Sequence, residues 1–133
     1  MLVPREPPLT VVRSDFDKLS KLASLAGETA VGRYLEHELD RAEVVAETTK
    51  PVVRLGTRVR YHDLSRPSPV DITIVLPQYA DIAHGRVSVL TPVGAALIGL
   101  SEGQRITFSM PWGQERTLAV VKVGPAPQPS EES

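Results

Sequence analysis

The sequence predicts an α+β protein in which a short N-terminal antiparallel helical hairpin precedes a β-rich domain with one short helix. Apolar residues recur at spacings of three and four over residues 14–50, as on one face of a helix, and at a spacing of two from residue 52 onward, as on one face of a strand. Proline marks the ends, since six of the 12 prolines lie in residues 1–8 or after Gly124. We therefore expect a proline-rich segment over 1–13, the hairpin over 14–50, the β-rich domain over 51–124 and a disordered acidic tail over 125–133.

The first helix is predicted over about residues 15–26. Ser14 to Asp17 have the pattern of a capping box, in which Ser14 accepts a hydrogen bond from a backbone amide and Asp17 reaches back. This pattern explains Asp15 and Asp17 as first-turn acids, which suit the positive end of the helix dipole. Gly27 is a suitable end. The apolar face consists of Phe16, Leu19, Leu22, Ala23 and Ala26.

The second helix is predicted from about Glu28 to Glu47, with Pro51 as the limit and the domain boundary. Its apolar face consists of Val31, Leu35, Leu39, Ala42 and Val45 or Ala46, whereas Glu36, Glu38, Arg41 and Glu43 lie mostly off that face. Two amphipathic helices joined by a short turn are expected to pack antiparallel, as a short coiled coil, because neither can bury its apolar face alone.

The β-rich domain is predicted to contain about five strands. Alternating apolar residues place them around residues 59–61, 70–76, 87–89, 106–110 and 118–123. Turn residues at 65–69 and 111–114 separate strands. One short helix interrupts them, with Thr91 as its cap, Pro92 at its first position and Gly99 at its end.

Motifs for catalysis, cofactors and metals are missing from the sequence. There is no cysteine, which excludes disulfides and thiolate chemistry. His37, His62 and His84 do not form a zinc motif, and Gly94 and Gly99 have the spacing of a phosphate loop without its lysine. We therefore predict a protein that is not an enzyme, with no cofactor. With no apolar run long enough for a membrane span and no signal-peptide pattern, a cytoplasmic protein is expected.

The two predicted parts of the chain carry net charges of opposite sign. Residues 14–50 hold five Lys or Arg and eight Asp or Glu, a charge of −3, whereas residues 51–124 hold eight and five, a charge of +3. Arg54, Arg58, Arg60 and Arg66 are either the solvated face of a strand or a patch for an acidic partner or RNA. Few aromatic residues are present for base stacking, so any direct contact with nucleic acid or DNA is expected to be weak.

Residues 80–103 resemble the signature of the Gre transcription cleavage factors. The shared elements are Ala80-Asp81-Ile82, the strand Val87-Ser88-Val89, the turn Thr91-Pro92-Val93 and the helix end Ala96-Leu97-Ile98-Gly99. The Trp112–Glu115 hairpin and Val120–Val123 extend the resemblance over about residues 52–124. It implies an FKBP-like domain that docks on RNA polymerase, with a contact surface that includes Asp81, Leu90, Thr91 and Pro92. For Thr91 and Pro92, a simple helix cap remains an alternative.

The N-terminal part differs from Gre factors, whose long coiled coil passes through the secondary channel of the polymerase and holds magnesium at an acidic tip. Here the first predicted helix is about 18 Å long, and the turn over residues 25–30 offers one acid, Glu28. Such a short hairpin resembles the Rnk branch, named for regulation of nucleoside diphosphate kinase. The resemblance implies a regulator that binds the secondary-channel rim of RNA polymerase and competes with Gre factors without stimulating transcript cleavage.

Three other functions remain open at this stage. One is a Gre-like elongation or cleavage factor. Another is an FKBP-like peptidyl-prolyl isomerase, although Tyr61, Tyr79, Phe108 and Trp112 are few aromatic residues for a proline pocket. An effect on nucleotide metabolism would be indirect, through gene expression, because no nucleotide motif is present.

Overall fold

The computed structural model describes residues 7–125. Ten regular elements follow one another along this range: β1 (Thr10–Val12), α1 (Arg13–Leu25), α2 (Ala30–Asp40), β2 (Glu43–Val45), β3 (Arg58–Asp63), β4 (Val70–Val75), β5 (Arg86–Ser88), α3 (Pro92–Leu97), β6 (Arg105–Phe108) and β7 (Arg116–Val123). Two short 3-10 turns, Pro77–Tyr79 and Ile82–His84, lie between β4 and β5. The α+β class is confirmed. None of these helices is long and apolar enough to cross a membrane.

The main sheet has five strands in the order β5-β4-β3-β7-β6, and only the β4–β5 pair is parallel. A bulge between Arg60 and Tyr61 shifts the register of β3 against β7. Side chains alternate across the sheet, so one face is apolar and buried. That face carries Val59, Ile74, Ile106, Leu118 and Val120. The strand count, the turns at 65–69 and 111–114 and the short helix agree with the sequence-based prediction.

The helices and the sheet share one hydrophobic core. Leu19 in α1 and Leu35 in α2 are fully buried, and they belong to the same cluster as Leu97 in α3 and Leu118 in β7. The Tyr34 and Phe108 rings, one from α2 and one from β6, lie 5.9 Å apart between their centres. The hairpin therefore packs its apolar face on the sheet domain as well as on itself.

The start of the first helix differs from the prediction. Helix α1 begins at Arg13, after Val12, and no side chain caps it, so the capping box at Ser14 is wrong. Asp15 is buried instead, and its Oδ2 accepts a hydrogen bond from the Leu55 amide at 3.1 Å. Burial raises the pKa of Asp15, although that hydrogen bond and nearby Arg54 oppose the shift. The Asp15 carboxylate, which the sequence predicted to act near the start of its own helix, thus binds the chain before β3 instead.

The second helix is shorter than predicted. It begins at Ala30 with Thr29 as its cap, and it ends at Asp40. Residues Glu43–Val45 form a strand parallel to β1, and the Glu43 amide donates to the Leu9 carbonyl at 2.9 Å. Two consecutive β-branched residues, Val44 and Val45, suit this pairing better than another helical turn.

Glu38 is also placed differently from the prediction, since it is 1% exposed although it was expected mostly off the apolar face. Arg41 donates to both of its carboxylate oxygens, at 2.7 and 3.1 Å. This two-pronged pairing allows a carboxylate to be buried in the hairpin. The expected tail over 125–133 lies outside the described residues apart from Pro125, and so do residues 1–6 of the expected proline-rich segment.

Candidate partner-binding surface

The four predicted contact residues lie at the two ends of strand β5, which is an edge strand of the main sheet. Asp81 lies beside the start of β5, because it exchanges two backbone hydrogen bonds of 2.9 Å with Arg86. Leu90, Thr91 and Pro92 follow the end of the strand and lead into α3. The three residues of β5 rise about 10 Å, so the structure brings the four residues to one edge but not into one cluster.

The corner from β5 into α3 is held by the Thr91 side chain. Its hydroxyl donates to the Ser88 carbonyl at 2.7 Å and accepts from the Gly94 amide at 3.1 Å. A Cβ at Gly94 would lie 2.4 Å from the Ser88 carbonyl oxygen, which is far too close, so this position requires glycine. The predicted cap at Thr91 with Pro92 at the first helical position is confirmed.

Of the corner residues, Pro92 is the one best placed to contact a partner. Leu90 is half-buried and packs against the core. Pro92 lines a shallow cleft of about 80 Å³ together with Phe108, Met110, Trp112, Gly113, Gln114 and Arg116. Trp112 is 67% exposed. Sequence reasoning did not assign Trp112 to this surface, because the β6–β7 turn comes beside Pro92 only through the fold.

Asp81 is partly exposed, and its side chain is hydrogen-bonded to a nearby histidine. Its Oδ2 lies 2.7 Å from Nδ1 of His84, and this hydrogen bond lowers the pKa of Asp81. Ile82 follows directly and is 76% exposed. Sequence reasoning missed Ile82, although a large apolar residue outside the alternating strand pattern was an available signal. The pair gives this end of β5 one charge and one apolar group, a combination suited to a protein partner.

The hairpin tip is formed by residues 26–29. Glu28 is exposed, and its carbonyl, rather than its carboxylate, accepts from Arg33 at 3.1 Å. Leu25, just before the tip, is 81% exposed. In the described range, no group of three or more His, Cys, Asp or Glu could hold a metal ion.

The four arginines singled out in the sequence do not form one patch. Arg54 is mostly buried, with its Nε 3.9 Å from Oδ2 of Asp15, and Arg66 lies near Asp63. Arg58 and Arg60 alone share a sheet face, and both are within 4 Å of Asp71.

Comparison with known proteins identifies the family. The model of the GreA/GreB transcription elongation factor C-terminal family matches residues 48–125, and that of the Rnk N-terminus matches residues 7–45. The regulator of nucleoside diphosphate kinase of Escherichia coli strain K12 is 34% identical over 96 residues, which are 71% of each chain. The chain belongs to the Rnk branch of the GreA/GreB family.

Proteins named as transcription elongation factors match this chain over different shares of their length. The transcription elongation factor GreA of Thermodesulfovibrio yellowstonii is 33% identical over 79 residues, which are 58% of this chain and 50% of that protein. A solved structure of a GreA/GreB elongation factor from Nitrosomonas europaea superposes with a TM-score of 0.67 at 32% identity, over 90% of this chain and 99% of that chain. In this Rnk-type chain, Asp81, Pro92 and Trp112 all lie in the GreA/GreB part, whereas Glu28 lies in the Rnk part.

Proposed function

We propose that this chain is a non-enzymatic, cytoplasmic regulator of transcription that binds RNA polymerase through the edge of its FKBP-like sheet domain. The contact surface comprises Asp81, Ile82, Pro92 and Trp112, with Thr91 holding the corner. By resemblance to Gre factors, the docking position is the rim of the secondary channel. Membership of the GreA/GreB family supports a role in transcription.

The observation that carries the proposal is the rigid corner beside exposed apolar groups. Thr91 and Gly94 hold Pro92 in one conformation, so little conformational entropy is lost when a partner binds. Trp112 adds a large exposed ring next to Pro92. Aromatic side chains of this kind supply much of the affinity of protein interfaces.

The short length of the hairpin and the single acid at its tip favour competition with Gre factors over stimulation of transcript cleavage. Helix α1 has 13 residues and is therefore about 20 Å long, which is short for reaching a deep active site. Glu28 is the single acid between α1 and α2. Magnesium prefers several oxygen ligands in octahedral geometry, and one carboxylate supplies too few.

The cleft beside Pro92 does not favour the isomerase alternative. Its volume of about 80 Å³ compares with roughly 300 Å³ or more for ordinary ligand pockets. A prolyl residue with its neighbours needs an enclosed aromatic pocket, whereas Trp112 is largely exposed. We expect no acceleration of prolyl isomerisation above background.

Co-purification with RNA polymerase tests the docking surface. The double variant Asp81→Ala, Pro92→Ala and the single variant Trp112→Ala are each expected to weaken binding at least about tenfold, as loss of an interface hot spot does. The matched control is Asp40→Ala, Pro69→Ala, which changes an exposed acid and an exposed proline elsewhere. Equal recovery of polymerase by the control and by both test variants would contradict the proposed surface.

Transcript cleavage in stalled elongation complexes tests the mode of action. Added alone, the chain is expected to give no cleavage; added in excess over its Kd, it should suppress cleavage stimulated by a Gre factor, because the two compete by mass action. Cleavage by the chain alone that disappears in Glu28→Ala would refute the short-hairpin argument. Undiminished Gre activity at saturation would refute the shared docking position.

A further inference from the structure

The outer face of the main sheet carries a concentration of cations. Residues that face each other across neighbouring strands point to the same side, so the register defines this face. Arg60 lies opposite Asp71 on β4 and opposite Lys122 on β7. Thr73 on β4 lies between Arg58 and Arg86 and is paired with both. Ala119 on β7 is likewise paired with both His62 and Arg105. We call Arg58, Arg60, Arg86, Arg105 and Lys122 the basic sheet face; all five side chains are exposed.

The carboxylates near this face do not balance its charge. Within the described strands β3 to β7, Asp71 is the one carboxylate on this side, and Arg60 and Arg58 share it at 2.8 and 3.7 Å. Two acids lie at the margin. Asp81 is across a backbone bridge from Arg86, and its carboxylate is hydrogen-bonded to His84. The Glu102 carboxylate accepts from the amide of Val123, the residue after Lys122, at 2.9 Å. Among the described residues, no carboxylate lies within salt-bridge distance of Arg86, Arg105 or Lys122.

The pairing of β3 with β7 is weakened at one position, because Arg60 and Lys122 carry like charges and lie directly opposite each other. Such pairs destabilise an antiparallel sheet. Positions where a chain violates a local rule of this kind are often functional. Beside them is a cleft of about 360 Å³, lined by Arg58, Arg60, Asp71, Lys122, Gly124 and Pro125.

We propose that the basic sheet face binds the phosphodiester backbone of a nucleic-acid strand without reading its sequence. A protein partner would need an apolar anchor. Of the large apolar residues exposed on β3 to β7, Val70 is paired with Tyr61 on the opposite face, and Val121 is the unpaired residue of the bulge in β7, so the register places neither on this face.

The other outward side chains include Thr73, Thr107 and Thr117. The Thr107 and Thr117 hydroxyls lie 2.8 Å apart and share one hydrogen bond, so Thr73 and one hydroxyl of that pair can donate to phosphate oxygens. The strands place no Phe, Tyr or Trp on this face, and its one ring, His62, is held by a hydrogen bond between its Nε2 and the Arg66 carbonyl oxygen at 2.8 Å. Base stacking therefore contributes little.

Fluorescence anisotropy with a labelled 20-nucleotide RNA of mixed sequence tests this proposal without polymerase. Binding is expected at 50 mM salt and should weaken steeply as salt is raised, because phosphate contacts release counterions. Lys122→Glu and Arg105→Glu are each expected to raise Kd about fivefold or more and to reduce the salt slope by about 0.7 per lost phosphate contact. The matched control, Lys21→Glu on the exposed side of α1, makes the same change in net charge and should alter Kd less than twofold.

Stability measurements separate loss of binding from loss of folding. Lys122→Glu places a carboxylate opposite Arg60, so its urea midpoint should equal or exceed that of the parent while RNA binding falls. The proposal is overturned if RNA does not bind at 50 mM salt, or if Lys21→Glu weakens binding as much as Lys122→Glu. If polyglutamate displaced the labelled RNA as well as unlabelled RNA of the same total charge, the face would instead suit an acidic protein, and the proposal would also be overturned. Since no polymerase is present, these outcomes are independent of the proposed docking surface.

Discussion

Asp63 shows how one side chain joins the loop after β3 to strand β7. Its Oδ2 accepts from Arg116 at 2.7 and 3.2 Å, and its Oδ1 accepts from the amide and hydroxyl of Ser65. Burial alone would raise the pKa of Asp63, but these hydrogen bonds outweigh it and lower the pKa to about 2. The ionised form of Asp63 is therefore more stable in the folded protein than in the unfolded chain, relative to the protonated form.

Stability is expected to depend on Asp63 in the acid range. Because the pKa falls from 3.8 to about 2 on folding, the stabilisation is fully present above pH 4 to 5 and is lost as the pH falls toward 2. Asp63→Asn should cost about 2 kcal/mol at pH 7 and much less at pH 2.5. Urea denaturation at the two pH values measures this difference. Glu115→Gln, at an exposed position, is the control; a penalty for Asp63→Asn that is the same at both pH values would contradict the assignment.

Two helices of the chain begin in the same way. Thr29 donates to the Ala26 carbonyl at 2.7 Å and accepts from the Gly32 amide at 2.9 Å, and Thr91 makes the same two bonds to Ser88 and Gly94. Glycine is required at the third helical position in both, since a Cβ at Gly32 would lie 1.9 Å from the Ala26 oxygen. The same local structure thus closes the hairpin tip and the corner of the proposed docking surface.

This equivalence gives a matched pair of variants. Thr29→Ala and Thr91→Ala should each cost about 1 kcal/mol of stability, the usual loss for an N-cap. Only Thr91→Ala should also weaken polymerase binding, because only that cap orients Pro92. Urea midpoints and polymerase co-purification, compared for the two variants, measure the two effects. The same loss of binding in both would mean that the corner has no specific role.

The whole molecule is held together by contacts between the hairpin and the sheet domain. Asp15 accepts from the Leu55 amide, and the Thr10 amide donates to the Gly99 carbonyl at 3.0 Å. Leu35 in α2 is fully buried in the core cluster that includes Leu118 of the sheet. We therefore expect the two parts to unfold together, although each matches its own family model.

Leu35→Ala tests this cooperativity. The truncation should cost about 2–5 kcal/mol, and hydrogen exchange should report the same loss at the amides of α2 and of β7. Leu25→Ala is the matched control, because that leucine is 81% exposed in the same hairpin and its truncation should change little. Loss of protection in the helices alone would show that the hairpin and the sheet domain unfold separately.

Local pattern was enough to predict much of the fold and part of the site. The change of period near residue 52 separates the two hairpin helices from the five strands of the main sheet, although it did not predict β1 and β2, which lie before it. Thr91 with Pro92 predicts the start of α3, because a helix cap depends on residues close in sequence. The resemblance of residues 80–103 pointed to the family, which the matches at 7–45 and 48–125 bear out. Asp81, Leu90, Thr91 and Pro92 as contact residues stay predictions, and so does any functional role for Glu28, the acid of the hairpin turn.

Tertiary structure alone decided the features that depend on distant residues. Helix α2 ends at Asp40 because Val44 and Val45 pair with β1, more than 30 residues earlier in the chain. Asp15 and Glu38 are buried because Leu55 and Arg41 satisfy them, and a helical pattern contains no information about the first of these partners. Trp112 comes beside Pro92, and Lys122 opposite Arg60, through strand order and register. Register is set by the packing of the whole apolar face, so no short stretch of sequence specifies it.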